Sequence, residues 1–98
     1  MTDRFNEDQR KAFFSEFEGW APSNQRDAAE KTFKFTDFAQ AWSFMTEVAI
    51  SADKADHHPE WSNVYNRVSI TLTTHDADGL SEKDAHLARV IEKAARRG

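Results

Sequence analysis

Apolar residues near the start of the chain recur at the spacing of one helix face. The positions that carry this pattern are Phe13, Phe14 and Phe17. Asn6, followed three residues later by Gln9, has the form of a capping box. Gly19 is of the residue type that commonly follows a helix C-terminus. The pattern therefore predicts a first helix over residues 7–17.

The longest amphipathic pattern follows a polar pair that can cap a helix. Thr36 or Asp37 supplies the N-cap, and apolar spacings of three and four predict a helix over residues 37–53. Its apolar stripe consists of Phe38, Ala41, Trp42, Met45, Val48, Ala49 and Ala52. Phe44 lies beside the stripe, so it belongs either to a second apolar patch at a subunit interface or to the edge of the core.

A third helix is predicted after a turn at residues 75–79. Ser81 serves as its N-cap, with Asp84 at the third helical position. Its buried stripe consists of Leu87, Ala88, Ile91, Ala94 and Ala95. His86 lies away from this stripe, so we expect it at the surface.

The segments between the helices carry strand patterns. Residues 29–35 alternate, with Phe33 and Phe35 on one face. Residues 20–25 contain Pro, Ser and Asn and form a loop or a short edge strand.

A second β segment follows a polar loop at residues 56–61. Residues 63–74 are rich in Val, Ile, Thr and Tyr and are long for one strand. We expect a hairpin of residues 63–65 and 68–74, because Asn at position 66 tolerates the positive φ of a turn at residues 66–67.

The order helix, strand, helix, hairpin, helix is typical of an α+β protein. It predicts an antiparallel sheet of three to four strands with three helices packed on one face. With 98 residues the chain is expected to form a single domain over residues 1–98. A chain this short buries a limited core, which favours assembly with a second copy.

Composition removes several classes of function. The absence of cysteine excludes disulfides and thiolate metal sites. A net charge of −4 argues against nucleic-acid binding. Neither a membrane-length apolar run nor a signal-peptide pattern is present, so we expect a complete cytoplasmic protein.

Three of the four histidines fall in loops or at strand ends, where functional side chains are often presented. They are His57, His58 and His75. A metal site of these residues with Asp84 is disfavoured, because neighbours in an extended segment point to opposite sides. Metal-free acid–base catalysis is the second hypothesis, since imidazole both donates and accepts protons near neutral pH. Capping of nearby backbone groups would also explain any one of them.

A run of motifs over nearly the whole chain resembles the pterin-4a-carbinolamine dehydratase family. It comprises DKADHHPEW at residues 53–61, NVYN at 63–66, ITLTTHD at 70–76 and GLS at 79–81. Upstream, the resemblance extends to Gly19-Trp20, Phe33, Phe35, Asp37-Phe38, Ala41 and Phe44-Met45. The signature positions of that family are filled by Asp53, His57, His58, Pro59, Tyr65, His75 and Asp84. Asp53 is a departure, because many relatives have Glu there.

The resemblance implies removal of water from a 4a-hydroxytetrahydropterin to give quinonoid dihydropterin, which supports tetrahydropterin recycling after aromatic amino-acid hydroxylation. His57 and His75 would perform the acid–base steps and His58 would position the pterin, although these roles are open to permutation. Asp84 would orient or charge-stabilise a histidine.

The resemblance also implies contacts outside the histidines. Asp53, His58 and Pro59 would bind the pterin, and Trp20 is either a wall of the cleft or a core aromatic. No cofactor or metal is expected.

Assembly follows from the same resemblance. It points to a homodimer or homotetramer with the residue 37–53 helix in one interface. The alternative function is a protein-binding module that stabilises a partner's dimer through this helix, as a transcriptional coactivator does.

Overall fold

The computed structural model describes residues 2–97 as a four-stranded antiparallel sheet with three α-helices. The elements in chain order are α1 (Glu7–Glu16), β1 (Ala21–Pro22), β2 (Ala29–Lys34), α2 (Phe38–Ala55), β3 (Glu60–Val64), β4 (Arg67–Leu72) and α3 (Glu82–Arg97). A short 3-10 turn, His75–Ala77, follows β4. The α+β class predicted from the sequence is confirmed, and the edge strand near Trp20 is the two-residue β1.

The sheet has the strand order β1-β2-β4-β3, so β3 and β1 are its edges. Alternation along β4 places Val68, Ile70 and Leu72 on the face that the helices cover. Phe33 of β2 pairs with Val68 and joins the same face. The opposite face is polar, as the 3.0 Å hydroxyl contact between Thr32 and Ser69 illustrates. The helices and the apolar face therefore enclose one core.

Capping fixes the starts of the first two helices as the sequence predicts. Asn6 Oδ1 accepts from Gln9 N, and Asn6 N donates to Gln9 Oε1, each at 2.9 Å. Asp37 Oδ1 accepts from Gln40 N at 2.8 Å and is the N-cap of α2. Each bond satisfies a backbone N–H that the first helical turn leaves unpaired.

The buried face of α2 differs from the predicted stripe. The buried residues are Ala41, Phe44, Val48 and Ala52. Phe44 is 3% exposed, and its ring centroid lies 4.8 Å from that of Phe35. Phe38 and Trp42 are 48% and 58% exposed, and their rings stack at 6.4 Å. Phe44 is therefore a core residue, and the large exposed apolar side chains of α2 are Phe38, Trp42 and Ile50.

The hairpin is confirmed, with different bounds. Its β3 arm begins at Glu60, inside the segment predicted as loop, and the turn falls on Tyr65 and Asn66. Tyr65 has a φ of 51°, the left-handed region in which a non-glycine residue is uncommon. Asn63 Nδ2 donates to Tyr65 O at 3.0 Å and to Arg67 O at 2.8 Å. These bonds close the turn one residue before the predicted position at residues 66–67.

Candidate active site

The chain reverses direction at the end of α2, and the residues that follow line a cleft. Asp56 adopts a left-handed conformation with a φ of 52° and ends the helix. His57 N then donates to Ala52 O at 3.1 Å. This reversal separates the two adjacent histidines, because His57 is 9% exposed and His58 lies on the surface.

His57 is paired with a fully buried carboxylate. Its Nε2 lies 2.6 Å from Oδ1 of Asp84, which is in the first turn of α3 and has no exposed surface. The other oxygen, Oδ2, accepts from Thr74 Oγ1 at 2.7 Å and from Ser81 N at 3.0 Å. A buried carboxylate requires such donors, because burial without them is costly.

The hydroxyls of Ser81 and Thr74 form a hydrogen-bonded chain that ends at Asp84. Ser81 Oγ accepts from Lys83 N at 3.3 Å and lies 2.6 Å from Thr74 Oγ1. The Ser81 proton therefore points to Thr74, and the Thr74 proton points to Asp84. Oδ2 thus has two donors, and an ionised carboxylate accepts at Oδ1 from the Nε2–H of His57. Nδ1 is then the ring nitrogen available to the cleft.

The cleft has a volume of about 380 Å³. Its lining residues are Asp56, His57, His58, Pro59, Glu60, Thr73, Thr74, His75, Asp76 and Lys83. The three histidines singled out in the sequence thus share one cleft. His58 and His75 are open to solvent, with side chains 58% and 82% exposed.

Two further predicted residues stand at different distances from this cleft. Pro59 lines it, whereas Asp53 is outside the lining and its Oδ1 lies 3.3 Å from His58 Nε2. Asp53 can therefore act on a ligand of the cleft only through His58.

Trp20 does not line the cleft. It is 5% exposed, packs against Phe33 with ring centroids 6.1 Å apart, and donates from Nε1 to Glu92 Oε2 at 2.9 Å. Of its two interpretations, the structure favours the core aromatic, so the proposed site omits Trp20.

Glu60 is a site residue that the sequence reasoning missed, although it stands in the His-His-Pro-Glu-Trp run. Its Oε2 lies 3.6 Å from His75 Nε2 and accepts from Arg26 Nη1 at 3.2 Å. Arg26 Nη2 also donates to Oε1. The hydrogen bond and charge of Arg26 hold the pKa of Glu60 below its usual value against the opposing effect of desolvation, and His75 contributes in the same direction.

Within residues 2–97 no group of three or more His, Asp or Glu residues has an arrangement that would hold a metal ion. In the same part of the chain, no helix combines the length and the apolar character needed to cross a membrane.

The fold and the cleft define a class of site: clustered imidazoles beside a buried carboxylate, which suits acid–base chemistry. The family described as pterin 4 alpha carbinolamine dehydratase matches residues 3–94, and the chain belongs to this family.

Similar proteins come from several bacteria. The chain is 55% identical over 89 residues to a protein of Novosphingobium aromaticivorans named "Putative pterin-4-alpha-carbinolamine dehydratase", covering 91% of this chain and 93% of that one. A Burkholderia orbicola protein of the same name is 50% identical over 97% of this chain and 93% of its own.

Solved structures agree with the fold. The crystal structure of a transcriptional coactivator/pterin dehydratase from Brucella melitensis has a TM-score of 0.92 and 41% identity, covering 95% of this chain and 99% of that chain. A pterin dehydratase-like RuBisCO assembly factor of the alpha-carboxysome has a TM-score of 0.70 at 23% identity, over 80% of this chain and 90% of its own, which is a likeness of fold alone.

Proposed function

We propose that this protein catalyses dehydration of a 4a-hydroxytetrahydropterin to quinonoid dihydropterin and so supports tetrahydropterin recycling after aromatic amino-acid hydroxylation. One observation carries the proposal beyond family membership. The orienting Asp84 leaves a ring nitrogen of His57 available to the same cleft that His75 lines. Two imidazoles on one cleft provide a donor and an acceptor for the two proton transfers of the reaction.

The elimination places defined demands on these groups. The C4a–O bond breaks with its electron pair on oxygen, and one proton joins that oxygen to release water. The proton on N5 is removed, and its bonding pair forms the C4a=N5 double bond. In the proposal, one of His57 and His75 delivers the first proton and the other takes the second, while His58 positions the ring.

The remaining lining of the cleft suits a pterin. A volume of about 380 Å³ is within the range of small-molecule sites. The N3–H and 2-amino groups of a pterin are hydrogen-bond donors, and the cleft offers the carboxylates of Asp56 and Asp76 as acceptors. We propose that these acidic groups bind the pyrimidine edge of the ring.

A direct test compares two histidines of the same chain. His75→Ala should lower the dehydration rate above the uncatalysed background by roughly 10²–10⁴-fold, the range for lost acid–base catalysis. His86→Ala is the matched control, because His86 is exposed on α3 and lies outside the cleft. A wild-type protein that does not accelerate dehydration would refute the proposed function, and a fully active His75→Ala variant would refute the role of His75.

The exposed aromatic pair on α2 supports a second proposal, which concerns assembly. We propose that Phe38 and Trp42 pack against α2 of a second copy in a homodimer or homotetramer, since exposed aromatic pairs of this kind are typical of interfaces. A protein partner on the same surface, as the coactivator function would require, is the rival occupant.

Sedimentation of variants tests this assembly. Trp42→Asp should shift the protein towards the monomer while its helical circular dichroism remains, because it buries an unpaired charge in the contact. Ser43→Asp adds the same charge to the next, exposed position of α2 and should leave assembly unchanged. A wild-type monomer at micromolar concentration would contradict self-association and favour the rival partner.

A further inference from the structure

We infer that Glu60, fixed in place by Arg26, is a positioning residue that orients the imidazole of His75 across the mouth of the cleft. The inference deepens the proposed function, and only its kinetic arm rests on that function. It concerns residues outside the histidine signature, on β3 and on the segment before β2.

His75 has little else to hold its ring. Its side chain is 82% exposed, in contrast to His57 with its buried Asp84 partner. The 3-10 turn fixes its backbone, since Asp78 N donates to His75 O at 3.1 Å. Among the described residues, Glu60 is the carboxylate within ion-pair distance of a His75 nitrogen, at 3.6 Å from Nε2. Asp76 and Asp56 line the cleft without making this contact.

Arg26 makes Glu60 a fixed acceptor. Half-exposed glutamates sample several rotamers, and ordering one costs conformational entropy. The guanidinium of Arg26 engages both oxygens of Glu60, through Nη1 to Oε2 at 3.2 Å and through Nη2 to Oε1. Such a planar, two-point contact fixes orientation as well as distance. Oε2 is thus shared between Arg26 and His75.

The consequence for His75 is a defined tautomer. A carboxylate that faces Nε2 favours the neutral imidazole with its proton on Nε2, which leaves Nδ1 for the substrate. The same nitrogen is presented by His57, whose Nε2 is engaged by Asp84. Both imidazoles would then meet the pterin through Nδ1, which carries a proton in the ring that acts as the acid and is bare in the ring that acts as the base. One ring is fixed by a buried carboxylate and the other by a surface ion pair.

The ring nitrogens of His75 provide a test that needs no substrate. In ¹⁵N-labelled protein at about pH 8.5, where free imidazole is neutral, the Nε2–H tautomer of His75 should predominate. Glu60→Ala should give a mixture of tautomers, and Glu60→Gln should retain part of the preference because its amide oxygen still accepts. Arg26→Gln removes the two-point contact that fixes Glu60 and should shift the ratio in the same direction as Glu60→Ala.

A control variant and kinetic measurements distinguish the positioning of His75 by Glu60 from a general loss of structure. Arg89→Gln breaks an exposed contact with Glu16, at 3.3 Å, outside the cleft, and should leave the His75 signals unchanged. Glu60→Ala should lower kcat about tenfold with little change in KM, the signature of a misplaced catalytic group.

Unchanged His75 tautomers in Glu60→Ala would overturn the inference, and unchanged tautomers in Arg26→Gln alone would overturn the part assigned to Arg26. Absence of dehydration by the wild type would defeat the proposed function, while the nitrogen signals would still decide the positioning role.

Discussion

Replacing His57 should affect stability as well as catalysis, whereas replacing His75 should affect catalysis alone. The two side chains share a cleft, but His57 satisfies the fully buried carboxylate of Asp84 and His75 is 82% exposed. His57→Ala removes a 2.6 Å hydrogen bond to an ionised, buried acceptor. His75→Ala removes only a 3.6 Å contact with the half-exposed Glu60.

The magnitude follows from what Asp84 retains. Hydrogen bonds to charged groups contribute about 1.5–3 kcal/mol. Thr74 Oγ1 and Ser81 N still donate to Oδ2, and the vacated space opens to the cleft and admits water, so the lower half of that range applies. We expect His57→Ala to cost about 2 kcal/mol, or roughly 8–16 °C in Tm for a chain of this length. His75→Ala should stay within about 0.5 kcal/mol of wild type, as surface substitutions usually do.

Thermal and urea unfolding followed by circular dichroism at pH 7 measures the difference in stability between the two variants. Dehydration kinetics measures the loss of activity that both variants should show. His57→Gln is the discriminating variant, because its amide N–H can donate to Asp84 Oδ1 but it carries no group that titrates near neutral pH. It should recover part of the lost stability and little of the activity. A His57→Ala protein as stable as wild type, or a His75→Ala protein equally destabilised, would refute the reasoning.

Three other predictions concern the support of the site. Thr74→Val removes a 2.7 Å donor to Asp84 and should destabilise the fold by about 1–3 kcal/mol, with recovery in Thr74→Ser, as urea unfolding would show. Arg26 lowers the pKa of Glu60, so this pair stabilises the fold above the unfolded pKa and loses its effect as pH falls through the folded value. The urea midpoints of wild type and Glu60→Gln should therefore differ at neutral pH and converge in acid. Exhaustive chelation should leave dehydration unchanged, and recovery of lost activity by added zinc or manganese would contradict this.

The elements were predictable because each has a local signal. The capping pairs at Asn6 and Asp37 begin their helices where the sequence places them. The alternation of Val68, Ile70 and Leu72 gives the correct face of β4. Local hydrogen bonds and side-chain periodicity are set by nearby residues, so they are visible without the fold.

The face of α2 that turns towards the core was harder to predict, because two apolar faces of the helix overlap. Trp42 fits spacings of three and four with Phe38 and Met45, but Phe44 fits equally with Ala41 and Val48. Which face turns inward depends on the sheet, where Phe33 and Phe35 contact Phe44. Since that contact is tertiary, periodicity along one helix does not reveal it. As a result, Phe44→Asp would test the core, whereas substitutions at Trp42 or Phe38 test the exposed surface.

The sequence predicted the histidines of the cleft but not the residues that support them, for a related reason. A histidine cluster stands out by composition, whereas Thr74 and Arg26 are ordinary residues whose partners lie 10 and 34 positions away. Glu60 was hidden because the segment before Trp61 was predicted as loop, and its side chain acquires a direction only when residue 60 begins β3. The positions of Thr74, Arg26 and Glu60 in the site depend on contacts with residues distant in sequence, rather than on residue type.

Asp84 shows how so short a chain supports both a fold and a site. Oδ2 accepts from Ser81 N, the reciprocal half of the cap that begins α3, and Oδ1 accepts from His57. One buried carboxylate therefore joins the start of α3 to the loop that follows α2 and to Thr74 beyond β4. A separate orienting residue would need its own buried donors, which a small core has little room to supply. As a consequence, a substitution at Asp84 affects both the capping of α3 and the orientation of His57. The effects on stability and on His57 can therefore be separated only by substitutions at its partners, Thr74 and His57.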